Sequence, residues 1–71
     1  MTGIKRAIEM AGGACALAFQ LGVTHQAVYI WAKRGWVPMQ RALEIERLYP
    51  IPRTELLKPD LVAVFTAQTA N

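Results

Sequence analysis

Apolar residues recur at intervals of three and four along most of this chain, which is the spacing of helices that bury one side. Between Thr2 and Ala11 the stripe is Ile4, Ala7, Ile8 and Ala11, with Lys5, Arg6 and Glu9 outside it. Thr2 is placed to cap that helix and Gly12 to end it. A second helix is predicted from Ala14 to Leu21, with Ala14, Leu17, Ala18 and Leu21 on its inner side. Gly22 then offers a left-handed turn position that a side chain would resist. Thr24 reads as the N-cap of a third helix, with Val23 as a staple before it. This helix runs to about Lys33 and turns Val28, Trp31 and Ala32 inward. A fourth starts at Pro38, a residue suited to a first helical turn. Its inner stripe is Ala42, Ile45 and Tyr49, with Leu48 beside them. A fifth, short segment opens at Pro52, is anchored by Leu56 and Leu57, and must end by Lys58 because Pro59 follows.

The end of the chain has a different character. Leu61 to Thr66 is strand-like in composition, yet no other segment reads as a strand that could pair with it. Residues 62–71 are therefore expected to be an extended or mobile tail, available as an arm between two copies. Residues 1–61 form the folded unit, an all-α domain of four to five helices.

Seventy-one residues allow one small domain, able to bury about 60% of the surface its unfolded chain exposes. That excludes a large enzyme with a deep cleft. An apolar share of 54% excludes a disordered tail. One cysteine, Cys15, allows no internal disulfide and points to the cytoplasm. Glu9 interrupts any signal-peptide core near the start, and no apolar run reaches the length of a membrane span. The chemistry of catalysis is also thin. There is no serine, and one each of histidine, cysteine and aspartate, so no nucleophile–base–orienter set can be drawn. Glu44 and Glu46 stand two apart on one helix and diverge. No enzyme, metal or cofactor is expected.

Charge changes the picture further. The formal net charge is +3, and it is uneven. Residues 1–41 hold Lys5, Arg6, Lys33, Arg34 and Arg41 against Glu9 alone, a net +4. Residues 42–71 hold Arg47, Arg53 and Lys58 against Glu44, Glu46, Glu55 and Asp60, a net −1. A basic half of this kind attracts a polyanion such as nucleic acid.

The stretch from Ala14 to Lys33 joins these threads. Two short amphipathic helices meet at a glycine turn, and the small Ala18 sits where they would cross. That combination is a helix-turn-helix. Leu17-Ala18-Phe19-Gln20-Leu21-Gly22-Val23-Thr24-His25-Gln26-Ala27-Val28-Tyr29-Ile30-Trp31 resembles the Cro-like repressors of temperate phages and the related YdaS-type prophage regulators. Both belong to the lambda-repressor-like DNA-binding domains. The resemblance continues through Val37-Pro38, Arg41 to Arg47 and Leu56 to Leu61, and so spans residues 3–61. It implies a dimeric transcription regulator whose third helix enters the major groove of a double-stranded DNA operator. One departure stands out. The family usually has a polar cap that contacts a phosphate at the start of the second helix, where this chain has Gly13-Ala14-Cys15.

With Val28, Trp31 and Ala32 inward, the third helix presents His25, Gln26, Tyr29, Ile30 and Lys33. Gln26 suits bidentate reading of adenine; otherwise it is a surface glutamine. His25 either bonds a base or phosphate or is a solvated helix-start residue. Ile30 either meets a thymine methyl or is a scattered surface apolar. Tyr29 either reaches phosphate or ribose or packs along the helix. The phosphate candidates are Thr24, Lys33, Arg34, Arg41 and Arg6, although Arg41 is also three residues from Glu44 on its own helix. Trp31 is expected in the core. Trp36 either packs over the fourth helix or lies in a dimer contact. The alternative to DNA reading is an antitoxin-like or other protein-interaction module, with the apolar Leu61–Phe65 segment binding a second protein.

Overall fold

The computed structural model describes residues 2–63, and these form an all-α domain. Four α-helices follow in order: α1 (Gly3–Ala11), α2 (Ala14–Leu21), α3 (His25–Arg34) and α4 (Met39–Leu48). A 3-10 turn, Arg53–Glu55, comes next. The breaks fall where the punctuating residues stand. The Thr2 hydroxyl accepts from the Lys5 amide at 3.3 Å and starts α1. The Thr24 hydroxyl accepts from the Ala27 amide at 3.3 Å and starts α3. Gly22 ends α2 with φ of 71°, a left-handed conformation that costs an L-residue roughly 1–2 kcal/mol. Pro38 is the residue before α4 rather than part of its first turn, with extended dihedrals that a proline ring accepts.

The core is wholly apolar among the described residues. Ile4 and Ala7 of α1, Leu17, Ala18 and Leu21 of α2, Val28 and Trp31 of α3, and Ala42 and Ile45 of α4 are buried together. Leu56 and Leu57 close this core from below, as expected of the anchors of a fifth segment. Two loop residues join them. Val37 and Ile51 are fully buried, and neither belongs to a helical stripe. The Val37 amide donates to the Leu56 carbonyl at 2.8 Å, which pins the loop after α3 to the segment after the 3-10 turn. Tyr49 is half-buried, and its hydroxyl donates to Gln20 Oε1. Leu48, expected beside the inner stripe, is turned out from it. It is 52% exposed, because Ala42 and Ile45 face the core directly and Leu48 falls at the edge of a groove lined by Gln20, Leu21, Glu44 and Arg47.

The tail also differs from its strand-like composition over the residues described. Residues 59–63 are helical, not extended. The Lys58 carbonyl accepts from the Leu61 and Val62 amides at 2.9 and 3.1 Å. Pro59 supplies a φ already suited to a first helical turn, and Val62 packs against the core. A lone strand had no partner, whereas a helical turn satisfies its own backbone. The rest of the expected tail and arm, residues 64–71, lies outside the described residues.

An ion pair ties α4 to the 3-10 turn. Glu46 accepts from the Arg53 amide at 2.8 Å and from both ends of the Arg53 guanidinium, the closest contact being 2.8 Å. The carboxylate thereby caps a turn whose own preceding residue, Pro52, offers no side-chain cap. Hydrogen bonds from the Arg53 side chain and then its amide hold the Glu46 carboxyl below its ordinary value of 4.5, and the same pairing raises Arg53. A depressed carboxyl contributes stability above its unfolded value, and that contribution is lost as pH falls through the folded one. Glu46→Gln is therefore expected to lower the urea midpoint slightly at neutral pH. The gap to the parent should close under acid conditions that protonate Glu46 in both states.

Candidate nucleic-acid interface

The helix pair α2 and α3 is built so that one side of α3 is held and the other left open. Three residues, Gly22-Val23-Thr24, connect the two helices. Ala18, 4% exposed, gives the close approach that the turn demands. The Val23 amide donates back to the Ala18 carbonyl at 3.0 Å, closing the end of α2. Val28 and Trp31 then fix the rotation of α3 about its axis. Ala32, the third inward residue, is half-buried at the margin.

The rotation leaves His25, Gln26, Tyr29, Ile30 and Lys33 exposed on α3. Tyr29 and Ile30 are each 56% exposed, and they stand next to each other on this face. His25 and Tyr29 touch edge to face, with ring centroids 5.9 Å apart and planes at 87°. This contact orders two neighbouring side chains of the open face before any ligand arrives. Thr24 stands at the head of the face and Arg34 at its foot. The foot is the negative end of the α3 dipole, so Lys33 and Arg34 are favoured there.

The phosphate candidates separate into two groups. Arg6 pairs with Glu55 at 2.7 Å, linking α1 to the 3-10 turn. Arg41 pairs with Glu44 at 2.9 Å and also donates to the Leu21 carbonyl at 3.3 Å, which satisfies the end of α2. Both guanidiniums thus already have a carboxylate partner within the domain. Lys33 and Arg34 take part in none of the three ion pairs among the described residues. The Gly13 cap of α2 makes no side-chain hydrogen bond, so the expected departure at Gly13-Ala14-Cys15 leaves only backbone amides at that helix start.

The structure gives Trp36 its surroundings and adds two residues to which the sequence pattern does not point, Lys58 and Phe19. Trp36 is half-buried, and the Arg34 guanidinium lies 3.5 Å from its ring centroid. The Arg34 Nε also donates to the Trp36 carbonyl at 3.1 Å. Lys58 approaches the same ring, its Nζ 5.6 Å from the centroid. Nothing in the spacing foretells the approach of Lys58, whose segment is tied to the loop after α3 by the Val37–Leu56 hydrogen bond. Phe19 is the other addition. It lies on the outer side of α2 and is 88% exposed.

Among the described residues no helix is long and apolar enough to cross a membrane. Comparison with curated proteins and with solved structures yields no match. Comparison with family models does. From Ile4 in the first turn of α1 to Ala63, residues 4–63 match the model described as "Bacterial toxin YdaS", and the chain belongs to that prophage-associated, helix-turn-helix-like family.

Proposed function

We propose that this chain is a sequence-specific, double-stranded-DNA-binding transcriptional regulator, a repressor of Cro-like character that reads the major groove with α3. The observation that carries the reading is the open face of α3, anchored from behind by Val28 and Trp31 and bearing Gln26, Tyr29 and Ile30 outward. An α-helix fits the major groove, and residues near its N-terminus reach base edges. In this reading Gln26 pairs with the N6 and N7 edge of an adenine, and Ile30 meets a thymine methyl. His25 and Tyr29 act as one unit against a neighbouring base or sugar. Thr24, Lys33 and Arg34 hold phosphates and set the register. Two copies, assembling weakly and on the DNA, place their reading helices about 34 Å apart on one side of the duplex. Occupying a promoter in this way excludes polymerase.

Selection of bound duplexes from a random pool supplies the test. The selected duplex and a random one are then titrated with the parent chain and with Gln26→Ala. The parent is expected to prefer the selected duplex. Gln26→Ala should lose about 1–3 kcal/mol on it and little on the random one. Equal affinity of the parent for both would end the claim of sequence-specific reading.

A second reading follows from the family's description as a toxin and from Phe19. An aromatic ring 88% exposed on α2 is a natural anchor for another protein. This places partner binding on α2, whereas the antitoxin-like alternative placed it on Leu61–Phe65. Within that segment Leu61 is 39% exposed and Val62 packs against the core. Growth arrest on expression that persists in Gln26→Ala would favour the second reading over the first.

A further inference from the structure

We infer that Arg34 and Lys58, gathered around the ring of Trp36, form a phosphodiester clasp at the foot of α3. The inference rests on the DNA reading of α3 and extends it to a residue from the far end of the domain. Three observations lead to it.

The first is geometric. The two cationic centres lie 3.5 and 5.6 Å from one ring centroid, so they are at most 9.1 Å apart. Phosphates follow one another along a DNA strand with an axial rise of about 3.4 Å, so this pair can address a single phosphodiester or two neighbours.

The second concerns pre-organisation. The ring face attracts the guanidinium, and the Nε bond to the Trp36 carbonyl fixes its rotation. One of five donors is used in that bond, and four remain for an anion. A long side chain held in advance loses less entropy on binding than a free one. Lys58 is placed by backbone rather than by its own side chain. Leu56 and Leu57 are buried before it, the Val37 amide holds the Leu56 carbonyl, and the Lys58 carbonyl starts the helical turn of residues 59–63.

The third is charge. Glu44, Glu46 and Glu55 are taken by Arg41, Arg53 and Arg6. Those pairs neutralise most of the acidic second half. Neither Arg34 nor Lys58 belongs to an ion pair among the described residues. A basic site therefore survives, with Arg34 drawn from the basic half of the sequence and Lys58 from the acidic half. Trp36 is its positioning residue, because its role is to hold Arg34 and not to meet the base edges.

The test uses the full chain and a mixed-sequence duplex, with affinity measured between about 50 and 200 mM salt. Arg34→Ala and Lys58→Ala should each reduce the steepness of log affinity against log salt by about 0.9. Trp36→Leu keeps both charges and should weaken binding; in an Arg34→Ala background it should have almost no further effect. Trp36→Tyr, which retains a ring face, should restore most of the loss. A melting curve for each variant reports on folding. Should Trp36→Leu fail to fold, Lys58→Ala and Trp36→Tyr decide the matter. Parent binding with an unchanged salt dependence in Lys58→Ala overturns the clasp and leaves the α3 reading intact. Absence of salt-dependent binding by the parent overturns both.

Discussion

Trp31→Ala is expected to remove a large share of the domain's stability. Trp31 is 6% exposed and lies on the inner side of α3 with Val28, against α2 and the core beyond it. Truncating a buried Trp costs about 3–5 kcal/mol, part of it transfer and part the cavity left behind. A domain of this size has a total stability of about 4–11 kcal/mol, at roughly 0.05–0.15 per residue. The substitution therefore removes a large share or nearly all of it. At about 4–8 °C per kcal/mol for a small domain, the melting midpoint should fall by at least about 12 °C. Trp31→Phe keeps an aromatic body in the same place and should fall much less. Thermal melts followed by circular dichroism decide the point. An alanine variant that melts within a few degrees of the parent would mean that Trp31 is not the anchor of α3.

Gly3→Ala should destabilise the domain even though Gly3 begins a helix. Replacing glycine by alanine inside a helix ordinarily gains roughly 0.5–1 kcal/mol. Here a methyl group on Gly3 would run into the carbonyl oxygen of Glu55, with the carbonyl carbon 2.8 Å away. The obstacle is backbone and cannot swing aside. Glu55 is held twice, through its amide to the Pro52 carbonyl at 3.0 Å and through its side chain to Arg6. Relieving the clash means moving α1 away from the 3-10 turn, which opens the core at Ile4 and Leu56. Overpacking of this kind costs about 1–3 kcal/mol. Urea unfolding should show a lower midpoint for the variant. An equal or higher midpoint would show that α1 and the 3-10 turn are not in such close contact.

These two substitutions also mark what was legible in the sequence. The bounds of α2 follow from Gly13 and Gly22, the bounds of α1 from Thr2 and Gly12, and the start of α3 from Thr24. Each is a residue whose backbone or hydroxyl chemistry acts locally, so each speaks through position alone. The inward placement of Trp31 follows equally from helical spacing. Val37 and Ile51 escape such reading, because loop residues have no period to betray which side is buried. Gly3 reads as an ordinary first-turn glycine until Glu55 is brought beside it. The interface divides in the same way. The face of His25, Gln26, Tyr29 and Ile30 lies on one element and is visible from its period. Arg34 and Trp36 are neighbours two positions apart, but Lys58 joins them only through a tertiary contact, and Arg6 is drawn to Glu55 by a pairing across 49 positions. The strand-like composition near residue 61 misled for a related reason. Composition reports how a side chain fits a pleated surface, and among the described residues there is no neighbouring strand to provide one.

The central claim is that the open face of α3 enters duplex DNA. The most direct measurement is titration of the isotopically labelled chain with a pool-selected duplex, following backbone amide and side-chain signals residue by residue. The account predicts that His25, Gln26, Tyr29 and Ile30 shift most, with Thr24, Lys33 and Arg34 at the margin, while Phe19 stays in place. Unmoved α3 signals in the presence of bound duplex, or shifts centred on Phe19 and the outer side of α2, would contradict it.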